Sequence, residues 1–374
     1  MSERLGDGEV LWSPPADVTA SSVIGRYLRW LRVHRQLDFA DYHQLWAWSV
    51  TDLEGFWSSV GEFFGVRFHS PPRSILSGAM PEARWFEGAT LNYAEHALAQ
   101  RSSGVALIGE SQTVGTREFT WPELGELVGR ARAALSRAGI EPGDRVAAYL
   151  PNIPETVVAF LATASLGAIW SSCSPEFGVR AVVDRFAQIE PKVLLVIDGY
   201  RYGSRVIDLR ENVAAIRAGL PSVQETVLVP VLDPEARIAG ARPWTAWLAD
   251  PGALEFEPVP FSHPLYILFT SGTTGLPKPI IHGHGGIVIE HLKALALQSD
   301  IGPGDRFFWF TTTGWMMWNF LVSGLLVGAT VVLFDGDPAH PDLTTLWRLA
   351  ARQGITWMGL SAAFLMACRA GGVH

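Results

Sequence analysis

YILFTSGTTGLPK, residues 266–278, is a short apolar run that opens directly into Thr, Ser, Gly and Lys, and PIIHGHGG follows it. The apolar part, Tyr266 to Phe269, reads as a buried strand and the remainder as the loop it empties into. Such a loop is suited to phosphate. Gly272 and Gly275 let backbone N–H groups close on an anion, the hydroxyls of Thr270, Ser271, Thr273 and Thr274 add donors, and Lys278 brings a mobile cation. The spacing is not that of the P-loop nucleoside triphosphatases, because Gly275 is followed by Leu276-Pro277-Lys278 rather than by Lys-Ser/Thr.

Composition narrows what surrounds this loop. A chain of 374 residues exceeds one simple core and splits into two or three lobes. With 48% hydrophobic and 18% charged residues, it reads as globular and well buried rather than disordered. A net charge of -8 argues against a nucleic-acid partner, which would call for a basic field. The two cysteines, Cys173 and Cys368, are far apart and lack CxxC spacing, so neither a disulfide framework nor a zinc site is expected and a cytoplasmic setting fits. MSERLGDGEV does not read as a signal peptide. The longest apolar region, Phe320 to Phe334, is broken by Ser323, Gly324 and Gly328, and reads as a buried helix and strand rather than a membrane span. Most of the fifteen tryptophans are expected to pack in the core.

Residues 1 to about 100 read as a mostly helical leader, with an apolar stripe over Ser21 to Val33 and Asp41 and Asp52 as N-caps of two further helices. From about residue 103 strands and helices alternate, which predicts an α/β fold with layered parallel sheets. Strands are expected at Val105–Ile108, Asp144–Leu150, Ala168–Ser172 and Lys192–Ile197, and helices at Trp121–Arg137, Pro154–Leu166, Arg180–Ile189 and Ser204–Ala218. Pro230–Pro264 reads as a link between sheet layers. Beyond the loop, helices are expected near Gly286–Leu297, Met317–Leu326 and Leu343–Gln353, and strands at Phe307–Phe310, Thr330–Phe334 and Ile355–Gly359. Ser361 caps a last helix, for which the sequence to His374 offers no further sheet partner.

The loop resembles the signature of the adenylate-forming superfamily, [ST]SG[ST]TGxPK, which acyl-CoA synthetases, luciferases and adenylation domains share. Each of its nine positions is met from Thr270 to Lys278. Within the superfamily, WSV at Trp48 to Val50, Phe56-Trp57 and above all RWFEGATLNYAEHAL, Arg84 to Leu98, resemble the leader of the acetoacetyl-CoA synthetases. TTTGWMMWN, Thr311 to Asn319, resembles that group's form of the acyl-pocket segment. DGYRYGSR, Asp198 to Arg205, is similar to the place where relatives such as acetyl-CoA synthetase carry arginines for CoA.

The resemblance implies a division into a helical leader, 1–100, and an AMP-binding N-terminal domain, 101–374, without the family's small C-terminal domain. It implies ATP, Mg²⁺ and CoA as reactants beside acetoacetate, with an acid carboxylate attacking the α-phosphorus to give an acyl adenylate and pyrophosphate. Such chemistry leans on positioned donors and cations more than on a covalent partner. By resemblance Thr270, Ser271, Gly272, Thr273, Thr274, Gly275 and Lys278 hold the β- and γ-phosphates, Trp315, Met316, Met317, Trp318 and Asn319 form the acyl pocket, and Arg201 and Arg205 meet the phosphates of CoA. His282 and His284, alternate residues on an extended segment, point to opposite sides and read as structural, and no metal site is assigned.

No stretch of the sequence matches the family's Tyr-Gly-x-Thr-Glu segment, its ribose-binding Asp or its catalytic Lys, which would lie beyond His374, and Lys278 is no substitute because it belongs to the loop. Two readings therefore stand: the N-terminal portion of an acid–thiol ligase, itself inactive, or a non-catalytic nucleotide-binding or interaction module. Within the first, acetate or propionate stay open beside acetoacetate, since preference among small acids turns on a few contacts.

Overall fold

The computed structural model describes Val10 and residues 13–100, 102–270 and 275–373. Two sheets organise them. Seven strands lie in the spatial order Ala241–Pro243, Glu225–Val229, Val193–Ile197, Arg145–Tyr149, Ile169–Cys173, Pro264–Thr270 and Lys278–Gly283. All run parallel except the last, which returns antiparallel beside Pro264–Thr270. Five more lie in the order Trp357–Gly359, Arg306–Trp309, Thr330–Asp335, Val105–Ser111 and Gly115–Thr120, again parallel but for an antiparallel edge.

Both faces of the five-stranded sheet are covered, as a parallel sheet requires. Successive side chains on a strand point to opposite faces, and the core divides accordingly. Leu107, Phe307, Val331 and Leu333 join the large core shared with the seven-stranded sheet. Ile108, Phe308, Val332 and Phe334 pack on the far side with Leu346, Leu349, Phe364 and Cys368. The helix Pro154–Ser165 is buried along nearly its whole length and touches strands of both sheets. Its lack of a polar face has its cause there.

Local signals account for most boundaries. Trp121–Arg137 starts at a capping box, in which Thr120 and Glu123 satisfy each other's backbone N–H, and is followed by Gly139 at φ 74°. Asp41 and Asp52 cap Tyr42–Thr51 and Leu53–Phe63 through Gln44 N at 2.9 Å and Gly55 N at 3.0 Å. Ser361 caps Ala362–Ala370 in the same way. The stripe over Ser21 to Val33 is the helix Val23–Arg35. Phe320 to Phe334 is the end of the helix Met316–Val322, a 3₁₀ turn Ser323–Val327 and the strand Thr330–Asp335. Cys173 and Cys368 are free and buried.

The expected helix over Ser204–Ala218 is corrected. Gly199–Tyr202 and Arg205–Asp208 form an antiparallel hairpin, and helix begins only at Arg210. Gly203, at φ 62°, makes the turn a hairpin needs, and the Tyr and β-branched residues beside it favour strand over helix. The expected link 230–264 carries structure of its own, the edge strand Ala241–Pro243 and the short helix Trp244–Trp247. The leader adds a hairpin, Ser74–Ser77 with Arg84–Glu87, to its helices.

Candidate functional site

The strand Pro264–Thr270 carries the phosphate-loop candidate to the end of the seven-stranded sheet. Ser271, Gly272, Thr273 and Thr274 lie outside the described residues. Their flanks are fixed, since Thr270 pairs with Lys278 across the hairpin. Gly275 takes φ 144°, a conformation side chains disfavour. Gln188 Nε2 donates to the carbonyl of Pro277 at 3.0 Å, and both Thr270 and Lys278 are exposed. The two described ends of the loop, Lys278 among them, are therefore open to solvent.

His282 and His284 part company after that loop. His282 stays on the strand Lys278–Gly283, half-buried, whereas His284 opens the helix His284–Leu292 and is fully buried. His284 Nδ1 accepts from the backbone N–H of Tyr93 at 3.1 Å, and burial, with His263 and His96 nearby, pushes its pKa down to about 3. It is therefore a neutral anchor for the leader. Among the described residues no group of three or more His, Cys, Asp or Glu is placed to hold a metal ion.

The segment Thr311 to Asn319 crosses from the five-stranded sheet to the seven-stranded one and is stitched there. Thr313 Oγ1 donates to the carbonyl of Leu150 at 2.7 Å, and Ser172 Oγ to the carbonyl of Thr313 at 2.7 Å. Its aromatic residues divide. Trp315 and Met316 are exposed, at 67% and 50%, and Met317 is intermediate. Trp318 is fully buried, stacked 6.4 Å from Trp170, and its Nε1 donates to Asn152 Oδ1 at 3.0 Å. Asn319 is buried with neither amide atom bonded. Trp318 thus backs the segment from the core, and only Trp315, Met316 and Met317 have surface to offer a ligand directly.

A cavity of about 250 Å³ opens where the carboxyl ends of strands from both sheets converge. Asn152, Ser174 and Glu176 line it from the seven-stranded sheet, Thr311 and Asp335 from the five-stranded one, and Tyr202 from the Gly199–Asp208 hairpin. This is where open α/β sheets receive ligands. Asp335 is 6% exposed and accepts from Ser111 Oγ at 2.8 Å, yet burial, reinforced by Glu176, pushes its pKa up to about 6. Arg201 and Arg205 are exposed on the same hairpin, with the Arg205 guanidinium 5.6 Å from the Tyr202 ring. Arg201 N donates to Thr113 Oγ1 at 2.9 Å and Gly203 N to Gln112 Oε1 at 3.1 Å, which holds the hairpin against the turn after Val105–Ser111. The structure brings the hairpin and Thr311–Thr312 to one cavity. Sequence reasoning missed Asn152, Glu176 and Asp335, although a carboxylate just past an apolar strand was a usable signal.

Known families match the chain along most of its length. The family model described as AMP-binding enzyme matches residues 94–373, and that described as acetyl-coenzyme A synthetase N-terminus matches residues 42–97. The acetoacetyl-coenzyme A synthetase of Rhizobium meliloti (strain 1021) is 44% identical over 97% of the chain and 56% of its own length. That of Mus musculus is 38% identical over 97% of the chain and 56% of its own length. The solved structure of acetoacetyl-CoA synthetase from Streptomyces lividans superposes with a TM-score of 0.94 at 49% identity, over 98% of this chain and 57% of that one. The chain spans about half the length of the curated relatives it matches.

Proposed function

The chain belongs to the AMP-binding enzyme family, and from that premise we propose that it forms the ATP- and acid-binding part of an acid–thiol ligase joining acetoacetate to CoA through an acyl adenylate. The observation that carries this is the loop Thr270 to Lys278, with its complete signature and its two ends paired on the sheet. The specific acid rests on the acetoacetyl-CoA synthetases named above.

In this reading the backbone N–H groups and hydroxyls of 270–275 hold the β- and γ-phosphates, and Lys278 offsets charge as pyrophosphate leaves. Trp315, Met316 and Met317 wall the acyl pocket, with Trp318 and Asn319 behind them. Arg201 and Arg205 take the phosphates of CoA, a role supported by the cavity that Tyr202 of the same hairpin lines. Mg²⁺ is assigned to the incoming nucleotide, whose phosphates supply its ligands. The division at about residue 100 into leader and AMP-binding domain is part of the proposal, as is a cytoplasmic setting. Among the described residues no helix is long and apolar enough to cross a membrane.

The 374 residues alone are expected to turn over little or not at all, because nothing in them matches the family's catalytic lysine or its Tyr-Gly-x-Thr-Glu segment. The test is pyrophosphate release with ATP, Mg²⁺ and acetoacetate, by this chain and by one extended with the codons that follow His374 in its reading frame. Turnover only by the extended chain, faster with acetoacetate than with acetate, supports the assignment. Turnover by the 374 residues alone would refute their inactivity, and none by either would leave a binding module.

A further inference from the structure

We propose that Gln188 is a positioning residue of the phosphate site, its side-chain amide fixing the backbone from which Lys278 reaches the phosphates of ATP; the inference rests on the phosphate-loop reading above. Gln188 Nε2 donates to the carbonyl of Pro277 at 3.0 Å and to that of Asp184 at 2.7 Å. Both partners are acceptors, so both amide protons are used. One holds the turn that carries Gln188, and the other crosses 89 residues of sequence to the exit of the loop.

On its own side the amide is anchored to the sheet. Arg145, at the head of the strand Arg145–Tyr149, donates through Nε to the carbonyl of Ile189 at 2.6 Å and through Nη2 to that of Glu190 at 3.1 Å. Ile189 is buried, and Glu190, at φ 48°, turns the chain toward the strand Val193–Ile197. Gln188 therefore projects from a turn that the middle strand of the seven-stranded sheet holds in place.

The other side is a stretch that needs holding. Thr270 and Lys278 are the last pair of their ladder before the loop, and Lys278 lies on the edge strand. Ladder ends open most readily, and Pro277 and Pro279, on either side of Lys278, have no N–H to strengthen this one. Pro279 restricts Lys278 to extended backbone but does not say where that backbone lies. The ammonium rides on a flexible four-carbon stem, so the position of the backbone sets the region it can sweep. Without the bond from Gln188 that region moves, and the cation spends less time against phosphate.

The test is titration with ATP and Mg²⁺ of the chain labelled with [ε-¹³C]lysine, beside calorimetry of the same binding. Lys192, Lys278 and Lys293 are the chain's only lysines, and the Lys278 signal is assigned by its loss in K278M. ATP is expected to shift it. Gln188 is exposed, so Q188M, which keeps the length of the side chain and removes its donors, should leave the melting temperature unchanged while weakening ATP about threefold. In K278M, itself about tenfold weaker, adding Q188M should change affinity by less than about 1.5-fold, because Gln188 acts through Lys278. Wild-type affinity in Q188M, or a threefold loss that persists without Lys278, overturns the positioning role and leaves the phosphate reading intact. No shift of the Lys278 signal by ATP in the wild type overturns both. Q188A, which also lacks the donors, decides in the same way should Q188M not fold.

Discussion

Replacing Asp335 by Asn should stabilise the chain, and by an amount that depends on pH. Asp335 ends the strand Thr330–Asp335 at the cavity mouth, 6% exposed, with the Ser111 hydroxyl as its side-chain hydrogen-bond donor. Burial lifts its pKa from 3.8 to about 6, with the Ser111 bond opposing and Glu176 adding to the rise. Between those two values the folded chain holds a proton that the unfolded chain has released. Stability from this group is therefore complete below about pH 4 and is lost as pH rises through about 6. The gap, at about 1.36 kcal/mol per pH unit, amounts to about 3 kcal/mol above pH 7. Asn keeps an oxygen for Ser111 and removes the charge, so D335N should gain about 3 kcal/mol above pH 7 and nearly nothing below about pH 4. Urea denaturation of both proteins from pH 4 to 8 measures this. A gain that is absent at neutral pH, or that does not change across the range, would refute an unfavourably ionised Asp335.

Three further outcomes are expected. Asp198 is fully buried and its carboxylate accepts from the backbone N–H of Val231 at 2.7 Å, Leu232 at 3.0 Å and Asp233 at 2.7 Å; D198A should cost about 3 kcal/mol or more in urea denaturation, because three donors lose their acceptor. A Cβ on Gly285 would overlap the Phe261 ring at Cδ2, and that ring is itself stacked 4.7 Å from Phe86, so G285A should lose about 1–3 kcal/mol, and an unchanged melting temperature would contradict that packing. Lys278 is exposed; K278A should leave stability within about 0.5 kcal/mol while lowering ATP affinity about tenfold by calorimetry, and unaltered affinity would remove Lys278 from the phosphate site.

How far the sequence could be read follows from where each signal resides. Trp121–Arg137 is predicted to its ends because Gly139 and Pro142-Gly143 are local punctuation, and the capping box of Thr120 and Glu123 is local as well. Asp41, Asp52 and Ser361 are legible for the same reason. The hairpin at 199–208 is not legible locally, since the turn at Gly203 competes with a plausible helical run from Ser204 and docking on Gln112 and Thr113 settles the contest. The strand Glu225–Val229 is a short buried apolar run, ambiguous until Val193–Ile197 pairs with it. The families matched by the chain are legible too, in the nine positions from Thr270 to Lys278 and in the leader phrases.

By itself, then, the sequence determined the α/β alternation, the caps and the loop signature, because each depends on neighbours within a few residues. Tertiary structure decided the rest. It buried Trp318 while leaving Trp315 exposed three residues earlier, stranded the amide of Asn319, and brought Asn152, Glu176, Tyr202 and Asp335 to one cavity from four separate stretches of chain. No local pattern encodes those facts, since they arise from which strand ends meet and which side chains the meeting deprives of water.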